Sequence, residues 1–174
     1  SKLSGDETGI VFLQLCNPLD PRVAVDFSSA SRELRAPTQA LRKQLKAEYE
    51  AAWALCLKLG MRSCRELREA TGLHWCGKDA TSTDLALLGK LGSVLPALQN
   101  LGLFQLSTQQ PDGVQRLVEG LAAGALKRVN ELALVNVYVG YPGASALAAA
   151  LGRGALPRLK ILVLGTAAIG DAGL

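Results

Sequence analysis

The sequence lacks any run of eighteen or more apolar residues, and its N-terminal segment, SKLSGDETG, lacks the basic-then-apolar pattern of a secretory signal. A helix that crosses a membrane needs about twenty consecutive apolar residues, so no membrane span is predicted. The missing signal pattern gives no indication of secretion. We therefore expect an intracellular protein, in the cytoplasm or the nucleus.

A large excess of positive charge is also missing. Lys and Arg number 19 and Asp and Glu number 15, an excess of four that is too small to indicate nucleic-acid binding. In the first half of the chain the basic and acidic residues are interleaved, which is typical of solvated helix faces. Trp53 and Trp75 lie in apolar contexts, where core packing explains them better than base stacking. We expect no nucleic-acid partner.

Sequence motifs for catalysis or metal binding are absent as well. Cys56, Cys64, His74 and Cys76 have suitable side chains, but their spacing matches no paired CxxC or HxxxH pattern. No GxGxxG or GxxxxGK[ST] loop occurs, and the single histidine is tied to no nucleophile by a known motif. We interpret His74 as a partly buried histidine of a helical cap and the cysteines as reduced, buried thiols. The sequence predicts no enzyme, no cofactor and no metal site.

Apolar residues and glycines of the C-terminal half recur about every thirty residues. An earlier copy contains Leu95, Leu98, Leu101 and Leu103. The clearest comparison sets Leu126, Val129, Leu132, Leu134, Val139 and Gly143 against Leu156, Leu159, Leu162, Leu164, Ile169 and Gly173. Each copy reads as a short strand, a glycine-bearing turn and an apolar helix that ends at a glycine, such as Gly152 or Gly154. A single copy cannot bury both its strand and its helix, whereas stacked copies share one core.

This LxxLxL pattern, clearest in LPRLKILVLGTAAIGDAGL, resembles the ribonuclease-inhibitor class of leucine-rich repeat. The resemblance implies an α/β fold: a right-handed solenoid over residues 93–174, with a short, curved parallel sheet and outer helices, in about two and a half copies. The family places Asn or Cys after the strand, where this chain has Leu106, Val137 and Ala167. The last copy stops within a repeat. We therefore expect further repeats or a partner to continue the stack at Leu162 and Leu164.

In this family the strand residues between the leucines face the concave surface, which commonly binds protein partners. The resemblance therefore implies a small, mostly apolar binding face, within which the exposed aromatic Phe104 is the best anchor. The alternative is that the face only lines a shallow curve. The predicted partner-binding residues are Asn100, Phe104, Glu131, Val135, Ile161 and Val163.

Residues 1–92 are more charged and predict an all-α N-terminal cap over the open end of the solenoid. One helix is expected from near Pro37 to Gly60. Ser63 and Thr81 each precede an acidic residue by three positions, as in a capping box, and predict the start of two more helices.

Residues 10–35 contain an apolar helix, then Leu-Asp-Pro, then a second apolar stretch, and resemble an F-box. In that family this segment binds a Skp-type adaptor of cullin-type ubiquitin ligases, and leucine-rich repeats that follow it hold the substrate. The adaptor-facing residues by position are Phe12, Leu15, Leu19, Pro21 and Val23. A helix-turn-helix cap explains the same residues. Two functions follow: a non-catalytic protein-interaction module or scaffold, or an F-box/leucine-rich-repeat substrate receptor.

Overall fold

The structure is a computed structural model that describes residues 4–76, 79–106 and 112–165. Four helices come first, and strands and helices then alternate. The helices are α1 (Gly5–Leu15), α2 (Arg22–Ser29), α3 (Arg32–Lys58), α4 (Cys64–Glu69), α5 (Ser82–Leu91), α6 (Gly113–Glu119) and α7 (Gly140–Gly152). The strands are β1 (Gly72–Cys76), β2 (Asn100–Phe104), β3 (Glu131–Val135) and β4 (Ile161–Gly165). Among the described residues, no helix combines the length and apolarity that crossing a membrane requires.

The strands form one parallel sheet in which chain order and spatial order agree, β1-β2-β3-β4. Within the described residues one α-helix lies between each pair of consecutive strands, and a 3-10 helix (Gly92–Val94) follows α5. The α-helices also pack in chain order, α5 on α6 and α6 on α7. Because side chains alternate along a strand, one face of the sheet carries every second residue. The register aligns two apolar rows on the face that meets the helices: Leu73, Leu101, Leu132 and Leu162, and Trp75, Leu103, Leu134 and Leu164. The predicted α/β class with a parallel sheet is confirmed.

Strand β1 was not predicted, and the all-α description of residues 1–92 is wrong at this point. Leu73 and Trp75 are buried and enter the same core as the leucines of the later strands. The sequence does carry a signal for this strand, since Leu67, Ala70, Leu73 and Trp75 lie 28 residues before Leu95, Leu98, Leu101 and Leu103. Ala and Trp in place of two leucines, together with the shorter offset, hide the copy.

In the leucine-rich-repeat pattern that the sequence resembles, Leu106 and Val137 occupy the position of Asn or Cys. Both are buried and extend the apolar core. The turn obtains its hydrogen bonds from the backbone of the next strand: the Gln105 N–H donates to the Val135 carbonyl at 3.0 Å, and the Asn136 N–H donates to the Gly165 carbonyl at 2.9 Å. Position 167 lies outside the described residues.

The first three helices enclose a separate small core made of Phe12, Ala24 and Leu45. Helix α3 begins earlier than predicted, because the Ser31 side chain caps it by accepting a hydrogen bond from the backbone of Leu34 at 3.3 Å. Pro37 therefore lies inside the helix.

The same helix ends near Gly60, as predicted. Gly60 has a φ of 73°, which favours glycine. The Met61 N–H after it donates to the Cys56 carbonyl at 2.9 Å, closing the last turn.

An ion pair ties α3 to the first of the sheet-packing helices. The Lys58 ammonium donates to the Asp84 carboxylate at 2.6 Å, and Asp84 also accepts from the Thr81 N–H at 3.0 Å and the Thr81 hydroxyl at 2.8 Å. The predicted capping box at Thr81 is confirmed. Burial raises the pKa of Asp84, but the hydrogen bonds from Lys58 and Thr81 outweigh it and hold this pKa below its usual value.

Replacing Asp84 with Asn should therefore destabilise the protein in a pH-dependent way. A carboxyl whose pKa is depressed on folding contributes stability above its unfolded pKa of about 3.9 and loses it as the pH falls through the folded pKa. We expect Asp84→Asn to lower the free energy of unfolding by about 1 kcal/mol at pH 7, and by less at pH 3, in urea titrations. Glu50→Gln is the control, because Glu50 pairs with Lys46 at 3.8 Å on the surface. An Asp84→Asn deficit that is equal at both pH values would contradict the argument.

Candidate functional site

The sheet face that points away from the helices is called here the open sheet face. It has three rows, each running across the four strands. The rows are Gly72, Asn100, Glu131 and Ile161; His74, Gly102, Ala133 and Val163; and Cys76, Phe104, Val135 and Gly165. The face thus carries one carboxylate, one carboxamide, one imidazole, one thiol and one phenyl ring among small or aliphatic residues.

All six residues predicted for a concave binding face lie on the open sheet face. Asn100, Phe104, Glu131 and Val135 are half-buried. Ile161 and Val163 on the last described strand are 52% and 39% exposed. The structure therefore brings the six together on one surface, and their role as partner contacts stays a prediction.

His74 is a member of this face that sequence reasoning missed. Its side chain is exposed, so the interpretation as a partly buried cap histidine is wrong. The His74 and Phe104 rings stack with centroids 6.1 Å apart and an interplanar angle of 29°. The 28-residue offset would have placed His74 opposite Gly102, and so beside Phe104.

Gly102 makes the ring pair possible. A β-carbon at this position would lie 2.9 Å from Cζ of Phe104 and 3.0 Å from Cδ2 of His74, which is too close for either ring. The ring of Phe104 therefore lies against the backbone of β2 at Gly102. An aromatic ring held beside small residues is a common centre for protein contacts.

The last described strand also exposes apolar residues on the core side of the sheet. Leu162 and Leu164 are 40% and 37% exposed, whereas the equivalent Leu132 and Leu134, covered by β4, are only 3% and 1% exposed. That further repeats or a partner continue the stack at these leucines stays a prediction.

The five residues predicted to face an adaptor do not share a surface. Phe12 is fully buried and Leu19 is 3% exposed, while Val23 is 55% exposed. Leu15 and Pro21 are half-buried. The adaptor-facing prediction is therefore wrong for Phe12 and Leu19, because the helix pair α1–α2 uses them to pack against the rest of the chain.

The Leu-Asp-Pro connection has an internal role in this structure. The Asp20 carboxylate accepts a hydrogen bond from the Arg22 side chain at 2.9 Å and one from the Arg68 side chain at 3.4 Å. The bond to Arg22 is the main cause that holds the pKa of Asp20 below its usual value. Asp20 thus joins the α1–α2 connection to α4.

The buried cysteines do not form a reactive site. The Cys56 and Cys64 sulfurs lie 3.7 Å apart inside the core, and neither is in a disulfide. Burial raises the pKa of Cys56 to about 12 and also raises the pKa of Cys64, so both stay thiols at neutral pH. A thiol that is not ionised is a poor nucleophile and a poor metal ligand. Within the described part of the chain, no three His, Cys, Asp or Glu side chains are grouped as a metal site would require.

Comparison of the chain with known protein-family models, with curated protein sequences and with solved structures found no match.

Proposed function

We propose that this chain is a non-catalytic protein-binding module, a short leucine-rich-repeat solenoid whose open sheet face is the concave, partner-binding surface. The observation that carries the proposal is the face itself: a four-stranded, mostly apolar surface that carries the stacked pair of His74 and Phe104. We place the helices α1–α4 at the N-terminal end of the repeats, as a cap.

The order of contacts supports a solenoid. Each strand pairs with the strand of the next unit, and each helix packs on the helix of the next unit. In such a stack every unit buries its leucines against its neighbours. The core is therefore continuous, while the open sheet face stays accessible. Equivalent backbone angles also recur, since Gln105 and Asn136, each directly after a strand, have φ values of 51° and 53°.

The chemistry of the open sheet face suits a protein rather than a small molecule. The face is broad and shallow, and its polar groups are few. The ring of Phe104 and the aliphatic side chain of Val135 can bury apolar partner surface at roughly 25 cal/mol per Å². Asn100 and Glu131, the first residues of β2 and β3, can orient a partner through hydrogen bonds.

A pull-down with mass spectrometry tests this proposal. We expect the double variant Phe104→Asp, Val135→Asp to lose at least one partner that the native chain retains, because two carboxylates would face apolar partner surface. Circular dichroism should show an unchanged fold, since both side chains point away from the core. Leu57→Asp is the matched control, because Leu57 is 58% exposed on α3 and away from the sheet. An identical partner list for native chain and double variant would refute binding through this face.

The runner-up proposal is an F-box/leucine-rich-repeat substrate receptor of a cullin-type ubiquitin ligase. It is favoured by exposed apolar residues on the first two helices, with Leu13 56% and Val23 55% exposed. The same pull-down distinguishes the two proposals. A Skp-type adaptor that is recovered with the native chain and lost with Val23→Asp supports the receptor, and failure to recover any such adaptor argues against it.

A further inference from the structure

A second surface lies beside the open sheet face, where the strands begin. It is a cleft of about 730 Å³, within the usual range for binding sites. The cleft is lined by Gln99, Arg128, Asn130 and the segment 157–160, which contains Pro157, Arg158, Leu159 and Lys160. The lining contains three cations and two amides, and no carboxylate.

Two equivalent tight turns hold the arginines. Leu126 and Leu156 are buried and have φ values of 52° and 53°, in the left-handed region that leucine seldom adopts. The Leu126 N–H donates to the Gly92 carbonyl at 3.0 Å, and the Leu156 N–H donates to the Ala125 carbonyl at 3.1 Å. Each turn is therefore anchored to the unit before it and presents the residue two positions later, Arg128 or Arg158, in the same way.

The backbone fixes the floor of the cleft. The Asn130 N–H donates to the Gln99 carbonyl at 2.8 Å, and the Lys160 N–H donates to the Asn130 carbonyl at 2.8 Å. These bonds continue the sheet by one residue, so neighbouring units stay about 4.8 Å apart. The backbone positions of Arg128 and Arg158 are therefore also about one strand spacing apart.

The cations of the cleft are available for a ligand. Arg128, Arg158 and Lys160 are exposed, and none makes an ion pair with another described residue. Glu131 follows Asn130 directly but belongs to the open sheet face. The preceding unit has Ala97 where the later two have arginine, so the charge is confined to the last two described units.

We infer that this cleft binds an acidic helical segment of a protein partner, with one carboxylate on each arginine. The β-carbons of residues i and i+4 of a helix are about 5–6 Å apart, close to the spacing of the two turns, so two Glu side chains at these positions can reach the two arginines. Each guanidinium can hold a carboxylate through two parallel hydrogen bonds. An acidic protein is favoured over a nucleic acid, since no aromatic side chain among the lining residues could stack on a base. The inference stands apart from the open sheet face.

Fluorescence anisotropy with the full chain tests the inference. The probe is a labelled, alanine-rich peptide of about twenty residues that is helical and carries Glu at i and i+4. The reference peptide has Gln at those positions. We expect the Glu peptide to bind at least tenfold more tightly than the Gln peptide and to weaken as salt is added, because the attraction is electrostatic.

The double variant Arg128→Glu, Arg158→Glu should weaken binding of the Glu peptide at least tenfold. Arg128→Gln, Arg158→Gln serves as a second, milder variant. The control is Lys127→Glu, Arg153→Glu, which changes the net charge equally at two exposed residues outside the cleft lining. It should change affinity less than threefold.

Three results would overturn the inference. The first is equal weakening by the cleft variant and the control, which would mean non-specific attraction to a basic chain. The second is no preference for the Glu peptide. The third is tighter binding of a single-stranded oligonucleotide that the cleft variant abolishes, which would assign the cleft to nucleic acid. None of these results bears on the open sheet face, because that face is tested separately by the pull-down with Phe104→Asp, Val135→Asp.

Discussion

Gly89→Ala should lower the free energy of unfolding by about 3 kcal/mol, because the added methyl group would overlap the neighbouring helix. A β-carbon on Gly89 would overlap the backbone carbonyl oxygen of Leu117 on α6 and would lie 3.2 Å from the α-carbon of Gly120. Both obstacles are backbone atoms, which cannot rotate away. The helices α5 and α6 would have to separate, loosening the core between two consecutive units.

The control for this substitution is Gly152→Ala. Gly152 is the last residue of α7, and a β-carbon there would have no neighbour within 4 Å. Alanine is the better helix former, so we expect unchanged stability or a gain of up to about 1 kcal/mol. Urea titrations of both variants measure the difference. A Gly89→Ala variant as stable as the native chain would mean that α5 and α6 do not approach as closely as the structure shows.

Leu134→Ala should lower the free energy of unfolding by about 3 kcal/mol, through lost burial and the cavity that remains. Leu134 is 1% exposed, and the register places it between Leu103 and Leu164. Val135→Ala, one residue later, should cost less than about 1 kcal/mol, because Val135 lies on the open sheet face and is only half-buried.

Partner binding should respond in the opposite order. Val135→Ala should weaken capture of a partner by the open sheet face, whereas the folded fraction of Leu134→Ala should retain it. Thermal unfolding followed by circular dichroism and a pull-down of the same two variants measure both effects. Equal destabilisation by the two substitutions would contradict the assignment of opposite faces.

The repeat period determined much of the C-terminal half from sequence alone. Leucines at fixed offsets require stacked units, and alternation along each strand separates core residues from Phe104, Val135 and the others on the open sheet face. The predicted helix ended at one of two glycines. In the structure α7 ends at Gly152, and Gly154, two residues later, takes the left-handed backbone conformation, with a φ of 81°.

Other features were decided only in the tertiary structure, because they depend on neighbours that no local pattern contains. Strand β1 forms because Leu73 and Trp75 are buried in the core that they share with the next unit, although the sequence before them predicts a helix. Phe12 and Leu19 resemble surface contacts of an F-box by position, yet the small helical core and the main core bury them.

The same reason applies to the two proposed surfaces. The stacked rings of His74 and Phe104 lie on different strands, and Arg128 and Arg158 are thirty residues apart in the chain. Sequence alone determined the repeating alternation that makes a stack possible. Parallel pairing in chain order decided which side chains share a face, because it brings equivalent residues of successive units within about 5 Å of one another.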